Sequence, residues 1–107
     1  MDKKELLAEA KLAEQGINVS PKLEKLIGTG EAIVFTYIAI EDSVSGWIYR
    51  SPSDMEKALS LRESEQDRYI VSLVDKNLLK VKTIGENNLR CFKINYRTLT
   101  DILDYVE

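Results

Sequence analysis

Hydrophobic positions recur at helical spacing along most of this chain and alternate with polar ones only across residues 78–95. That pattern predicts a mainly helical α+β protein with a small β-hairpin. Asp2–Gln15 is rich in the good helix formers Lys, Glu, Leu and Ala, carries an incomplete stripe of Leu6, Leu7, Ala10 and Ala13, and stops at Gly16. Ser20-Pro21 starts a short helix, with Ser as N-cap and Pro at the first helical position. Leu23, Leu26 and Ile27 give it one buried face and Gly28 ends it. Thr29-Gly30-Glu31 opens the next helix. Ala32–Glu41 is apolar almost all round, which marks a central buried helix. Its β-branched and aromatic residues also suit a strand, but its length and the polar stop at Glu41-Asp42-Ser43 favour helix.

Trp47-Ile48-Tyr49-Arg50 reads as a short strand after Gly46. Ser53 is the expected cap of a helix with Asp54 and Glu56 in its first turn and Met55, Ala58 and Leu59 facing inward. Ser60-Leu61-Arg62-Glu63 is the turn that follows, with Leu61 as its buried plug. Ser64 is expected to start a second helix, with Asp67 completing a capping box and Ile70, Leu73 and Val74 on the core face. Asn77 falls where a left-handed cap is expected. Leu78–Ile84 and Leu89–Asn95 are strand-like, joined by a turn at Gly85–Asn88. Lys80, Lys82, Arg90 and Lys93 are expected to share a polar face opposite Val81, Ile84 and Phe92. Trp47, Phe92 and Tyr96 are expected to pack in the core or sheet, and Cys91 to be half buried. A last helix is expected from near Thr98 or Thr100, with Leu99, Ile102, Leu103 and Val106 apolar.

Composition narrows the chemistry. The chain has 107 residues, 44% apolar and 31% charged, which fits one soluble domain. It divides into a helical extension over 1–28, a core over 29–97 and a closing helix over 98–107. No apolar run approaches the ~20 residues of a membrane span, and no signal-type stretch follows Met1. Cys91 is the sole cysteine, so neither a disulfide nor a thiolate cluster forms, and a cytoplasmic setting is expected. There is no histidine, which removes the commonest general base and most zinc or copper sites. Gly28-Thr29-Gly30 lacks the lysine and hydroxyl of a phosphate loop. No enzyme activity, cofactor or metal is expected. Net charge is −3, unevenly spread: residues 1–49 carry 5 basic and 8 acidic groups, residues 50–97 carry 10 and 7, and residues 98–107 three acids.

The stretches Trp47-Ile48-Tyr49-Arg50-Ser51, Asp54-Met55-Glu56-Lys57-Ala58-Leu59-Ser60-Leu61, Ile70-Val71-Ser72-Leu73-Val74-Asp75-Lys76-Asn77-Leu78-Leu79 and Arg90-Cys91-Phe92-Lys93-Ile94-Asn95-Tyr96 carry a resemblance. They are similar to the winged helix-turn-helix superfamily, and more narrowly to small winged-helix domains of phage and plasmid replication and partition proteins, centromere-binding adaptors among them. The resemblance covers about half the chain. It implies that Ser64–Lys76 is a recognition helix that begins with Ser64, with Glu65, Arg68, Tyr69 and Ser72 outward and Gln66 and Asp67 near its leading edge. Arg68 would match the O6 and N7 acceptors of guanine and Gln66 an adenine. Tyr69 and Ser72 would meet phosphate or base edges. Lys80, Lys82, Arg90 and Lys93, with Asn87 and Asn88 at the tip, would line the wing and contact phosphates.

One departure stands against this. Glu63, Glu65 and Asp67 crowd the start of the recognition helix, where they would repel phosphates. Either the helix approaches DNA in an unusual orientation, or it stays out of the groove. In the partition adaptors recognition helices also join in dimer contact, which would set some of these acids against a partner. The expected function is sequence-specific double-stranded DNA binding by a homodimer from a mobile element. It would serve partition, replication or transcriptional control, with a filament or replisome protein as a further partner and no membrane association. The alternative is a protein-interaction module that kept the fold and lost groove binding. The stripe on Asp2–Gln15 and the closing helix are the candidate dimer surfaces.

Overall fold

In a computed structural model of the chain, residues 2–40, 46–85 and 89–104 are described. Helix α1 (Lys3–Glu14) is closed at its start by a reciprocal capping box: Glu5 N–H donates to Asp2 and Asp2 N–H to Glu5. Helix α2 (Pro21–Ile27) is capped by Ser20 with Pro at its first position, as the Ser-Pro pair predicts. Helix α3 (Thr29–Ile40) settles the strand alternative in favour of helix and buries Ala32, Ile33, Val34, Phe35, Tyr37 and Ile38. Each large side chain buried there stabilises the fold by about 1.5–3 kcal/mol relative to exposure, so α3 is the axis of the core.

Strand β1 (Ile48–Arg50) leads into helix α4 (Pro52–Leu59). The cap of α4 is Ser51, two residues before the expected Ser53, because Pro52 takes the first helical position and Asp54 closes the box on Ser51. The tight turn after α4 rests on Ser60, which is left-handed at φ 57°, and on Leu61, buried as expected. Helix α5 (Glu63–Asp75) starts one residue before the expected Ser64. Its capping carboxylate is Glu65, which accepts from Arg62 N–H at 2.9 Å. Asp67 is engaged elsewhere. The left-handed residue expected at Asn77 is present, with φ 61°.

Strands β2 (Leu79–Ile84) and β3 (Leu89–Ile94) form the hairpin, and β1 pairs with the far side of β3. All pairs are antiparallel and the order is β1-β3-β2. Helix α6 (Tyr96–Asp104) begins earlier than Thr98 because Asn95 caps it, accepting from Thr98 N–H at 3.2 Å. The expected turn residues Asn87 and Asn88, the polar stop at Glu41-Asp42-Ser43 and Val106 lie outside the described residues. A helix pair between the first two strands, followed by a hairpin in this strand order, is a winged helix-turn-helix.

The predicted face of α1 is reversed, while that of α5 holds at Ile70 and Leu73 and differs at its edges. On α1 the buried residues are Ala8 and Leu12, while Leu6, Leu7, Ala10 and Ala13 point to solvent. On α5 the core face is Gln66, Tyr69, Ile70 and Leu73, and Val74 is exposed. Ile84 and Tyr96 are exposed and Cys91 is fully buried. Ile84 follows strand parity: it is two residues beyond Lys82 and shares that face. Among the described residues, no helix is long and apolar enough to cross a membrane.

Candidate nucleic-acid interface

Helix α5 is clamped from two sides. Against α3, Tyr69 fills a notch that only glycine leaves open: a Cβ on Gly30 would stand 2.1 Å from the Tyr69 ring. Tyr69 is therefore a core residue, against the expectation that it faces DNA. Its hydroxyl still reaches the surface, where Arg68 Nη2 donates to it at 2.8 Å. The guanidinium carbon lies 4.8 Å from the ring centre. That hydroxyl bond holds the Arg68 pKa up, and burial raises that of Tyr69. The Arg68 side chain is exposed and oriented by an anchored ring.

On the other side, α5 is tied to the wing by a buried polar network. Arg90 is almost entirely enclosed. Its Nη1 contacts Asp67 Oδ1 at 2.5 Å, and its Nη2 donates to Gln66 Oε1 and approaches Met55 Sδ at 3.4 Å. Gln66 Nε2 donates to the carbonyls of Leu61 and Pro52 at 2.7 and 3.1 Å. Burial pulls the Arg90 pKa down, opposed by Asp67 and Glu63. Gln66 is thus a fully buried bracket and cannot meet a base as the sequence suggests. Arg90 is likewise no part of a basic wing surface. The error is one of parity: Arg90 and Lys93 are three residues apart on one strand, so they lie on opposite faces. Arg90 pairs with Thr83 and shares the core face with Val81 and Phe92.

Two of the three acids at the start of α5 are held by cations, while Glu63 stays exposed at its leading end. Glu65 caps the helix and pairs with Lys4 of α1 at 3.0 Å. Burial raises its pKa, but the Arg62 N–H and Lys4 lower it further. Asp67 is neutralised by Arg90. Ser72 is half buried and donates to Glu31 at 2.8 Å, accepting from Lys76 Nζ at 2.7 Å, so it is occupied within the fold. What α5 presents outward is Ser64, Arg68, Val71, Val74 and Asp75, with Glu63 and Asp67 at its leading end.

No protein-family model matches the chain, and no curated protein matches it in sequence. A solved structure does share the fold. A possible transcriptional regulator from Methanosarcina mazei Go1 superposes with a TM-score of 0.61 at 14% identity, over 78% of this chain and 72% of the other. At that identity the likeness is one of fold alone.

Lys80, Lys82 and Lys93 do share a face, but one turned away from α5, since Arg90 reaches α5 from the opposite side of β3. Trp47 joins them there: Lys82 Nζ is 4.2 Å and Lys93 Nζ 5.8 Å from its ring centre. Sequence reasoning missed Trp47 and Tyr49 on this surface. The signal was available, because Trp47 and Tyr49 flank the inward-facing Ile48 and so alternate outward.

Proposed function

We propose that this chain is a sequence-specific double-stranded DNA-binding protein that uses α5 as its recognition helix. The observation that carries this reading is Arg68, exposed on α5 and steadied by Tyr69, on a helix whose neighbouring carboxylates Glu65 and Asp67 are held by Lys4 and Arg90. Its guanidinium fork suits guanine, and Ser64 on the same face supplies a hydroxyl for a phosphate or base edge. The proposed oligomer is a homodimer, because α1 leaves Leu6, Leu7, Ala10 and Ala13 outside its own domain, a face suited to a two-fold partner. The role is DNA partition, replication or transcriptional control on a mobile element. Transcriptional control has the added support of the regulator that shares the fold.

A second reading has one specific observation in its favour. Val71 is 57% exposed on the outward face of α5 and Val74 joins it, which suits a protein partner better than a phosphate backbone. Selection from randomised duplexes at physiological salt separates the two, because nonspecific contacts are weakened there. The DNA reading expects a recovered motif in two half-sites, with Arg68→Ala costing about 1–3 kcal/mol at one base. Absence of any enrichment, together with unchanged weak affinity in Arg68→Ala, moves the function to the protein-interaction module.

A further inference from the structure

We propose that the outer face of the β-sheet is a second nucleic-acid surface, one that binds a single strand rather than the duplex assigned to α5. The proposal rests on the nucleic-acid reading above but on different residues. Cross-strand pairs share a face, so the register sets out this surface in rows. Lys80 stands directly opposite Lys93, with Trp47 beside Lys93. In the next row Tyr49 and Lys82 flank Cys91. Cys91 is small and fully buried, which lets Lys82 reach across it to the Trp47 ring.

Three features of this face call for a polyanion. Lys80, Lys82 and Lys93 are exposed, and among the described residues none of them pairs with a carboxylate. Lys80 and Lys93 face each other directly, an arrangement that destabilises a sheet unless an anion lies between them. Protecting a sheet edge is the ordinary use of strand lysines, and it accounts for Lys80 and Lys82 on the edge strand β2. It does not account for Lys93, which lies on the central strand β3. A chain of net charge −3 therefore gathers on one sheet face three lysines without a carboxylate partner among the described residues.

The aromatic residues choose the kind of polyanion. Tyr49 is 46% and Tyr96 48% exposed, and they bracket the lysines. Beside Tyr96, a cleft of about 230 Å³ is lined by Lys80, Lys93, Ile94, Asn95 and Tyr96. Lysines set among exposed aromatic rings suit a strand whose bases are free to stack, whereas a duplex hides its base faces. Because the face is turned away from α5, strand and duplex are bound at once.

Trp47 is the only tryptophan, so its fluorescence reports from within the site. The experiment titrates the full chain with a labelled oligothymidine of about 15 nucleotides, following strand anisotropy and Trp47 emission together. Binding is expected to change Trp47 emission, and log affinity is expected to fall with log salt at a slope near −2, about 0.7 per lysine engaged. The Lys80→Glu/Lys93→Glu double variant is expected to lose about tenfold or more in affinity and to flatten that slope. Both positions are exposed, and far-UV circular dichroism checks the fold. Tyr96→Ala is expected to weaken binding and Arg68→Ala to leave it unchanged. An excess of the selected duplex is expected not to displace the strand. The proposal is overturned by no binding at low salt, by binding without a change at Trp47, by undiminished affinity in the double variant, or by displacement with duplex. If the strand binds through the lysines while no duplex is ever selected, this surface stands and the α5 reading falls.

Discussion

Arg90 and Lys93 sit three residues apart on the same strand and carry the same charge, yet the two faces of the sheet use them in opposite ways. On the inner face Arg90 is enclosed, with Asp67, Gln66 and Met55 around its guanidinium, and it joins the wing to the recognition helix. On the outer face Lys93 is exposed, opposite another lysine and near an indole. The difference teaches that charge alone does not mark a nucleic-acid contact. A buried cation bound to carboxylate and amide fixes geometry, and a solvated cation without a carboxylate is the one able to neutralise phosphate.

The largest way to break the inner face is at the notch that seats α5. Gly30→Ala is expected to destabilise the protein by about 3 kcal/mol in urea unfolding, because a Cβ there would stand 2.1 Å from a rigid ring. A cost below about 0.5 kcal/mol, the usual range for a neutral surface change, would show that Tyr69 is not held as described. Next comes Arg90→Ala, expected to cost about 2–3 kcal/mol, less than a fully buried pair because Asp67 is half in water. Arg90→Met, which keeps the volume without the charge, is expected to recover only the packing part of that loss, because Gln66 Oε1 stays buried without this donor. Equal losses in both variants would assign the role of Arg90 to its charge rather than to its packing.

On the outer face the same kind of change is expected to do little to stability. Lys93→Ala is expected to shift it by no more than about 0.5 kcal/mol, toward greater stability, since the repulsion with Lys80 is relieved. A loss matching that of Arg90→Ala would erase the distinction between the faces. The smallest effect is a pH dependence away from the sheet. Burial raises the pKa of Glu24 above its ordinary 4.5, with Glu9 of α1 adding a hydrogen bond and repulsion, and Glu5 further repulsion. The folded state therefore binds this proton more tightly than the unfolded chain. That contribution is fully present below about pH 4.5 and is lost as pH rises through the raised value. Glu24→Gln is expected to remove this slope from the stability profile, leaving the opposite trend of Glu65 and Asp54, whose lowered pKa values stabilise above the unfolded values and are lost as pH falls.

The sequence by itself determined the order of elements, and the reasons are local. Ser20-Pro21 starts a helix through its own capping groups, Asn77 tolerates a left-handed backbone, and the apolar run in α3 has no exposed face to offer. These features depend on residues within a turn of one another, so they survive without knowledge of the rest of the chain. Strand parity was also in the sequence, and it separates Arg90 from Lys93. What only the tertiary structure decided is which side of α1 faces the core, and where the edge of the core face of α5 falls beyond the expected Ile70 and Leu73. On α5 periodicity finds Ile70 and Leu73, but it admits the apolar Val74 and leaves out the polar Gln66. Gln66 is buried because Arg90, arriving from a strand 24 residues later, and two backbone carbonyls satisfy it, and Tyr69 is buried because Gly30 left room for its ring. A polar side chain enters a core only when distant partners meet its hydrogen bonds, and those partners become neighbours only when the chain has folded.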